Sequence, residues 1–180
     1  MEWLSNLITT FTSLFPHLIL IRKTHGAVRF GPKGGIKVLY PGIHLYWPVI
    51  HEIQVIAVER QTINLATQTV LTADDYAVAA SGVVVYRIRD VEAAVARSFE
   101  VEETIADLAL AAVAGTIAES DLDDLMDAHV SGALTTTLTA RVADALHCYG
   151  VGVERCLLSD FATCRVFRLI GETPHEGPHR

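Results

Sequence analysis

The stretch of residues 70–90, VLTADDYAVAASGVVVYRIRD, constrains the fold more than any other part of the chain. After a turn signal at Asp74 and Asp75, apolar side chains alternate between two faces, which predicts a long strand. One face carries Tyr76, Val78, Ala80, Val84, Tyr86 and Ile88, and the other carries Ala77, Ala79, Ser81, Val83, Val85 and Arg87. Because both faces are apolar around Val84, we expect the central strand of a sheet, with strand partners on both edges and helices over at least one face.

The length and charge of the chain limit the classes of function it can serve. Its 180 residues and 51% apolar content suffice for one ordinary domain with a sizeable core plus a short appendage. The formal net charge of -7 argues against general nucleic-acid binding, which requires a basic surface to neutralise phosphates. The charge is uneven, because residues 1–60 contain six Lys or Arg against three Glu. The N-terminal third is therefore locally basic.

An uncharged segment, residues 3–21, opens the chain. Its apolar residues recur at steps of three and four, the period of one helix face, while Ser, Thr and Asn occupy the opposite face. The apolar set is Trp3, Leu4, Leu7, Ile8, Phe11, Leu14, Phe15 and Leu18. This pattern predicts an amphipathic helix that Pro16 kinks or ends, after which residues 18–21 form either a further apolar turn or the lead into a strand.

This segment is the candidate membrane-contacting site. A helix with one apolar and one hydroxyl-rich face suits the membrane interface, so the apolar set together with Arg22 and Lys23 makes up the predicted contacts. The uncharged length is also close to that of a bilayer core, which makes a spanning helix the second reading. A helix packed on its own domain or on a neighbour is the third. Glu2 and the lack of a small-residue cleavage site argue against a secretory signal.

Shorter strands are predicted ahead of the central one. Residues 25–30 and 36–40 lie on either side of a glycine-rich turn, which predicts a hairpin. Residues 41–50 contain two prolines and several aromatic residues, so we expect a loop that packs back on the core rather than a strand inside a sheet. Residues 52–59 and 61–66 alternate again and predict two further strands.

After Asp90 the apolar period becomes helical. Helices are predicted over residues 91–99 and 101–119, and a third helical region begins at a capping-box-like pair, Ser120 and Asp123. The predicted core stripe of this third region is Leu122, Leu125, Met126, Val130, Leu134, Leu138, Val142 and Leu146.

Glycines and a change of period mark the end of the helical part. We expect Gly132 to break the third helical region in two, and Gly150 to end it as a left-handed cap. Residues 151–158 alternate and predict a last strand. Residues 171–180 have no apolar period and predict a flexible tail.

Three segments occur in a recognisable order: VRFG with PGIHLYWPVI, then VLTADDYAVAASGVVVYRIRD, then YGVGVERCLLSDF after a helical pair. In this order and spacing they resemble the SPFH (Band 7) domain of stomatins, prohibitins, flotillins and the bacterial protease-regulating HflK and HflC proteins. The resemblance covers roughly residues 22–165. It implies an N-terminal sheet, then helices and a closing strand, held at a membrane by the preceding segment. It also implies rings or cages that scaffold membrane proteins and lipids.

The sequence departs from the family pattern after Asp160. Family members usually continue into a long charged coiled-coil helix that builds cage walls, whereas ATCRVFRLIGETPHEGPHR follows here. Ala162 stands near a position where the family tends to have proline, and Ala128 and His129 stand where it tends to have arginine. Self-association through the usual helices is therefore not implied here, which leaves contacts between neighbouring globular domains as the alternative.

No residue pattern indicates an enzyme. The candidates are an acidic cluster (Asp121, Asp123, Asp124 and Asp127), the pair His147 and Cys148, the tail residues His175 and His179, and the cysteines Cys148, Cys156 and Cys164. The acidic cluster fits the start of a helix and lacks the spacing of a calcium loop. Adjacent helical residues point in different directions, and the cysteine spacing matches neither a zinc site nor a disulfide framework. We predict no catalytic, cofactor-binding or metal-binding residue.

The predicted fold is a mixed α/β (α+β) SPFH-like domain over residues 24–170, with a membrane-facing segment at residues 1–23. The resemblance implies a non-enzymatic scaffold that self-assembles and organises membrane proteins or lipids, with modulation of a membrane protease or channel as one role. Its expected partners are further copies of the chain, membrane lipid and an unidentified membrane protein, but no nucleic acid. We expect the domain on the cytoplasmic side of the membrane. The alternative is a soluble oligomeric interaction or shell module whose first helix packs on a neighbouring subunit.

Overall fold

The computed structural model describes residues 15–32, 34–98 and 100–164. The strands are β1 (His17–Ile21), β2 (His25–Phe30), β3 (Ile36–Leu39), β4 (Gly42–Tyr46), β5 (Glu52–Ala57), β6 (Gln61–Leu71), β7 (Ala77–Ile88) and β8 (Val151–Thr163). The helices are α1 (Val91–Arg97), α2 (Val101–Ala118), α3 (Leu122–Ser131) and α4 (Ala133–Leu146), followed by a 3₁₀ turn (His147–Tyr149). The strands form antiparallel sheets of order β1-β4, β3-β2-β5 and β6-β7-β8. This confirms the mixed α/β class, with helices after the first strands and a closing strand.

β7 is the central strand of its sheet, as its alternation predicts. β6 pairs with one edge and β8 with the other. The inward side chains of β7 are Val78, Ala80, Val84, Tyr86 and Ile88, all buried. Tyr76 precedes the strand and is exposed. β6 and β8 are longer than the predicted strands at residues 61–66 and 151–158, because both follow β7 past register shifts that the local pattern does not reveal.

Two helices cover the inward face of this sheet. α4 packs on β8, and α2 packs on β6 and on α4. Their buried side chains are Val101, Ile105, Ala109, Val113, Thr116 and Ile117 on α2, and Leu134, Leu138, Val142 and Leu146 on α4. Gln68 Nε2 donates a hydrogen bond to Leu110 O at 3.0 Å, and Cys156 N–H donates to Thr139 Oγ1 at 2.9 Å. These side chains and the inward face of β7 form the main core.

The predicted break in the third helical region is confirmed. Gly132 adopts a left-handed conformation (φ 77°) between α3 and α4, and Gly150 (φ 69°) ends the 3₁₀ turn in the same way. Met126 and Val130 are nevertheless exposed, so their predicted place in the core stripe is wrong. The break redirects the chain, and α3 packs on the core through Leu125, which is buried, and through Leu122 and Ala128, which are partly buried.

The predicted capping box at the start of α3 is also wrong. Asp121 occupies the N-cap position and makes no side-chain cap. Ser120 Oγ instead donates to Thr116 O at 3.0 Å, and Asp74 Oδ1 accepts a hydrogen bond from Leu122 N–H at 3.1 Å. The turn between β6 and β7 thus supplies a cap that only tertiary packing could bring to this helix.

The β3-β2-β5 sheet lies between α1 and the strands of the first sheet. The hairpin of β2 and β3 is confirmed, and β5 corresponds to the strand predicted at residues 52–59. A Cβ on Gly26 would lie 2.4 Å from Val91 Cγ2, so α1 packs closely on this face of β2. Ala27 faces the other way and forms a small separate core with Ile21 and Leu39.

The loop predicted at residues 41–50 contains a strand. β4 pairs with β1 in a two-stranded antiparallel ribbon, which we call the β1–β4 ribbon, with Leu18 opposite Leu45 and Leu20 opposite Ile43. The prolines Pro41 and Pro48 lie outside the strand, where they remove no ladder hydrogen bond, so the sequence argument against a strand did not apply. For residues 18–21, the structure shows the strand alternative. The predicted N-terminal helix lies mostly outside the described residues.

Candidate membrane-contacting surface

The β1–β4 ribbon has two faces of opposite character. Its inner face holds Ile21, which is 2% exposed and packs on Ala27 and Leu39. On the same inner face, the rings of His17 and Tyr46 meet edge to face with centroids 6.0 Å apart. This face attaches the ribbon to the β3-β2-β5 sheet.

The outer face of the ribbon is aliphatic at every paired position between its ends. Leu18 and Leu20 are 71% and 68% exposed, and their cross-strand partners Leu45 and Ile43 are 54% and 71% exposed. An antiparallel sheet with one solvated face normally places polar residues there. Four branched side chains on one face instead form the kind of contiguous apolar patch that marks a contact with a protein or a membrane.

The apolar surface continues past one end of the ribbon. Phe15 precedes β1 and Trp47 follows β4, so both lie at the end where His17 pairs with Tyr46. Phe15 is 64% exposed, and Val49 and Ile50 in the turn after Trp47 are also exposed. Residues 1–14, which are uncharged apart from Glu2, precede Phe15 in the sequence.

Charge reinforces the character of this region. The sequence contains no Asp or Glu between Trp3 and His51, although the whole chain has a net charge of -7. Arg22 and Lys23 are exposed at the opposite end of the ribbon from Phe15, and Arg29 lies opposite Lys37 in the β2–β3 pair. In the described parts of the chain, none of these four cations forms a salt bridge. An aliphatic surface with basic flanks is therefore available to a partner.

The structure places only part of the predicted contact set. Phe15, Leu18, Arg22 and Lys23 are exposed, and Leu18 stands on a strand rather than on a helix. Trp3, Leu4, Leu7, Ile8, Phe11 and Leu14 lie outside the described residues. Within residues 15–32, 34–98 and 100–164, no helix combines the length and the hydropathy needed to cross a bilayer.

The sequence reasoning missed Leu20, Ile43 and Leu45. Because residues 18–21 are all apolar, the sequence does not show which of them face the core and which face solvent. The segment GIHLY does alternate, with Ile43 and Leu45 on one side, and that signal was available between the flanking prolines.

Among the described residues, the acidic cluster and the pair of His147 and Cys148 lie on different elements. Asp123, Asp124 and Asp127 are exposed on α3, and His147 and Cys148 are exposed on the 3₁₀ turn. Burial raises the pKa of the Cys156 thiol to about 11, which keeps it protonated and unreactive at neutral pH.

A metal centre is not apparent in the part of the chain that the structure covers. No group of three or more His, Cys, Asp or Glu residues is placed there to hold a metal ion. His175 and His179 lie outside the described residues.

The described residues form an α/β domain in which helices overlie a three-stranded sheet and an outlying ribbon exposes an apolar face. The family model described as SPFH domain / Band 7 family matches residues 19–168, and the chain therefore belongs to this family. The resemblance seen in the sequence is confirmed. Members of the family are generally non-enzymatic scaffolds associated with membranes. None of the curated proteins searched matches the chain.

Proposed function

We propose that this chain is a non-enzymatic scaffold that binds a membrane surface through the outer face of the β1–β4 ribbon and through the residues that precede it. The observation that carries the proposal is the exposure of Leu18, Leu20, Ile43 and Leu45 on one face of the ribbon. The lack of acidic residues between Trp3 and His51 supports it, because a negative charge here would oppose contact with anionic lipid.

The free energy available from burying the outer face of the ribbon is enough for weak, reversible binding to a membrane, but not for stable attachment. Full burial of one such aliphatic side chain contributes roughly 1.5 to 3 kcal/mol, and these four are between 54% and 71% exposed, so about 4 to 8 kcal/mol is available. A single myristoyl chain, with a binding constant of about 10⁴ M⁻¹, gives only marginal membrane attachment. A stable attachment therefore requires a second contribution.

Two further contributions lie beside the ribbon in sequence. The apolar residues Trp3, Leu4, Leu7, Ile8, Phe11 and Leu14 add hydrophobic area, and Arg22 and Lys23 add about 1 kcal/mol each near an anionic surface. The cytoplasmic leaflet carries the anionic lipids that attract such residues, so we place the domain on that side. On the membrane, copies of the chain assemble side by side and hold membrane proteins or lipids, including a membrane protease or channel.

Vesicle flotation tests the ribbon directly. The purified chain is expected to float with vesicles of phosphatidylcholine and phosphatidylserine. The double variant Leu18→Ser with Leu45→Ser is expected to lose most of this binding, because two adjacent aliphatic side chains become polar. Both positions face solvent, so the fold should persist, which circular dichroism verifies.

A matched control separates the ribbon from general hydrophobicity. Leu71 and Val130 are exposed aliphatic residues elsewhere on the surface, and the variant Leu71→Ser with Val130→Ser should float like the parent chain. A second variant, Leu7→Asp with Phe11→Asp, tests the N-terminal segment and should also reduce flotation. Unchanged flotation of both the ribbon variant and the N-terminal variant would sink the membrane proposal.

The same apolar face also fits a second function. A soluble oligomeric module would bury the ribbon and the first helix against a neighbouring copy rather than in lipid. The exposure of Leu18, Leu20, Ile43 and Leu45 is the observation common to both functions, so mass in solution and binding to vesicles must be measured on the same variants.

A further inference from the structure

A second feature of the surface lies at the junction of β7 and α1. Arg89 and Asp90 line two adjoining clefts, one of about 520 Å³ toward the 3₁₀ turn and one of about 460 Å³ toward β2 and β3. We call the two clefts together the Arg89 groove. It is distinct from the outer face of the β1–β4 ribbon, although Lys23 borders both.

Basic residues from five separate parts of the chain line the Arg89 groove. Arg89, Arg97 and His147 line the first cleft, and Lys23 and His25 join Arg89 in the second. These residues come from the end of β7, the last turn of α1, the 3₁₀ turn, the β1–β2 turn and β2. Three of these residues, Lys23, Arg89 and Arg97, are cations, and their presence along one groove is unexpected in a chain of net charge -7 because like charges repel one another unless an anion compensates them.

The protein itself supplies little compensation. Among the described residues, Asp90 supplies the one carboxylate that lines the groove, and its Oδ1 accepts a hydrogen bond from Ala93 N–H at 3.1 Å and caps α1. Within the described residues, neither Arg89 nor Arg97 takes part in a salt bridge, whereas Arg60, Arg87 and Arg141 each do. The guanidinium donors of the groove are thus available to a ligand.

The side chain of Arg89 is exposed, but its guanidinium lies against the surface of the domain. A Cβ on Gly152 would lie 2.1 Å from Arg89 Nε and 2.9 Å from Arg89 Cζ, so the guanidinium lies across the backbone of β8 at Gly152. The backbone of Arg89 is fixed as well, because its N–H donates to Gly150 O at 2.8 Å. A cation ordered in advance loses less entropy on binding a ligand.

We infer that the Arg89 groove binds a compact ligand that carries phosphate groups. Two guanidinium groups with imidazole and ammonium donors match the oxygens of phosphate, which arginine binds by paired hydrogen bonds. The small size of each cleft and the acidic remainder of the molecule oppose an extended polyanion such as RNA. A phosphorylated lipid headgroup and a free polyphosphate share this chemistry.

Calorimetric titration with tripolyphosphate tests the site without a membrane. The chain is expected to bind it, and Arg89→Gln with Arg97→Gln is expected to weaken binding at least about tenfold, since each charge-assisted hydrogen bond lost costs a substantial fraction of the affinity. Arg155→Gln is the matched control, because Arg155 is an exposed arginine on β8 outside the groove, and it should bind like the parent chain. Equal binding by all three proteins, or no binding, would overturn the inference.

Vesicles distinguish the source of the phosphate. Phosphatidylcholine vesicles with and without a phosphatidylinositol phosphate are compared, using the Leu18→Ser, Leu45→Ser chain so that apolar contact is weakened. Binding that requires the phosphorylated lipid and the two arginines assigns a lipid headgroup. If the chain binds tripolyphosphate but binds both kinds of vesicle equally, the ligand is a soluble phosphate compound. Either result is independent of flotation by the parent chain, so the failure of the proposed function and the failure of this inference are separate outcomes.

Discussion

Gly132 and Gly150 adopt similar left-handed conformations in different surroundings. Both have φ near 70°, a region that residues with a Cβ rarely enter. A Cβ on Gly132 would meet nothing within 4 Å, whereas a Cβ on Gly150 would lie 2.5 Å from Asp90 O and 2.8 Å from Asp90 Cβ. Backbone strain alone acts at the first position, and strain combines with a steric clash at the second.

This difference gives a residue-scale prediction for the free energy of unfolding. Gly132→Ala is expected to lower it by about 1 to 2 kcal/mol, the usual cost of a left-handed non-glycine residue. Gly150→Ala should lower it by about 2 to 5 kcal/mol, because the crowded Asp90 backbone must also move. Urea denaturation of both variants measures the two values. If the two losses are the same, the close contact with Asp90 does not hold in solution.

Asp74 joins two elements that are far apart in sequence. Its Oδ1 accepts hydrogen bonds from Thr72 Oγ1 at 2.5 Å and from Leu122 N–H at 3.1 Å, and Ala73 N–H donates to Ser120 O. The Thr72 hydroxyl is the main cause that lowers the pKa of Asp74 below its ordinary value of 3.8, with a further contribution from the backbone of Leu122. The start of α3 is thereby tied to the β6–β7 turn.

The direction of this pKa shift predicts an acid sensitivity. Because the carboxylate is more acidic in the folded protein than in the unfolded one, its stabilisation is present above pH 3.8 and is lost as the pH falls through the lower folded value. Asp74→Asn should lower stability at neutral pH, and its deficit relative to the parent chain should shrink in acid. Urea denaturation across this pH range measures the change, with Asp75→Asn as the charge-matched control. A deficit that does not vary with pH would contradict the role of the charge.

At the scale of elements, the sequence pattern predicted those features that depend on neighbouring residues along the chain. The alternation around Val84 identified β7 and its buried face, and the glycine at 132 located the break between α3 and α4. Ile43 and Leu45 alternate within GIHLY, but the flanking prolines favoured the prediction of a loop, so both were missed. The pairing of β1 with β4 is a long-range contact that no local signal encodes, so Leu20 was missed as well. The cap from Asp74 was missed for the same reason. Met126 and Val130 follow the helical period, yet they face away once the chain turns at Gly132.

At the scale of the whole molecule, the two proposed functions differ in whether lipid or another copy of the chain covers the outer face of the ribbon. Light scattering of the purified chain without lipid reports this, since each copy adds 19.6 kDa. If the ribbon contacts lipid, Leu18→Ser with Leu45→Ser should leave the mass in solution unchanged while flotation is lost. A lower mass for the variant, with flotation retained, would favour the soluble module instead.

The β1–β4 ribbon also makes the partner part of the folding equilibrium. A two-stranded sheet is marginally stable by itself, and this one rests on the small core of Ile21, Ala27 and Leu39, apart from the main core. A surface that binds the ordered ribbon but not the frayed one shifts the local equilibrium toward order by mass action. Release from that surface and local unfolding of the ribbon are then coupled. The fraction of the protein that is bound determines the fraction in which the β1–β4 ribbon is formed.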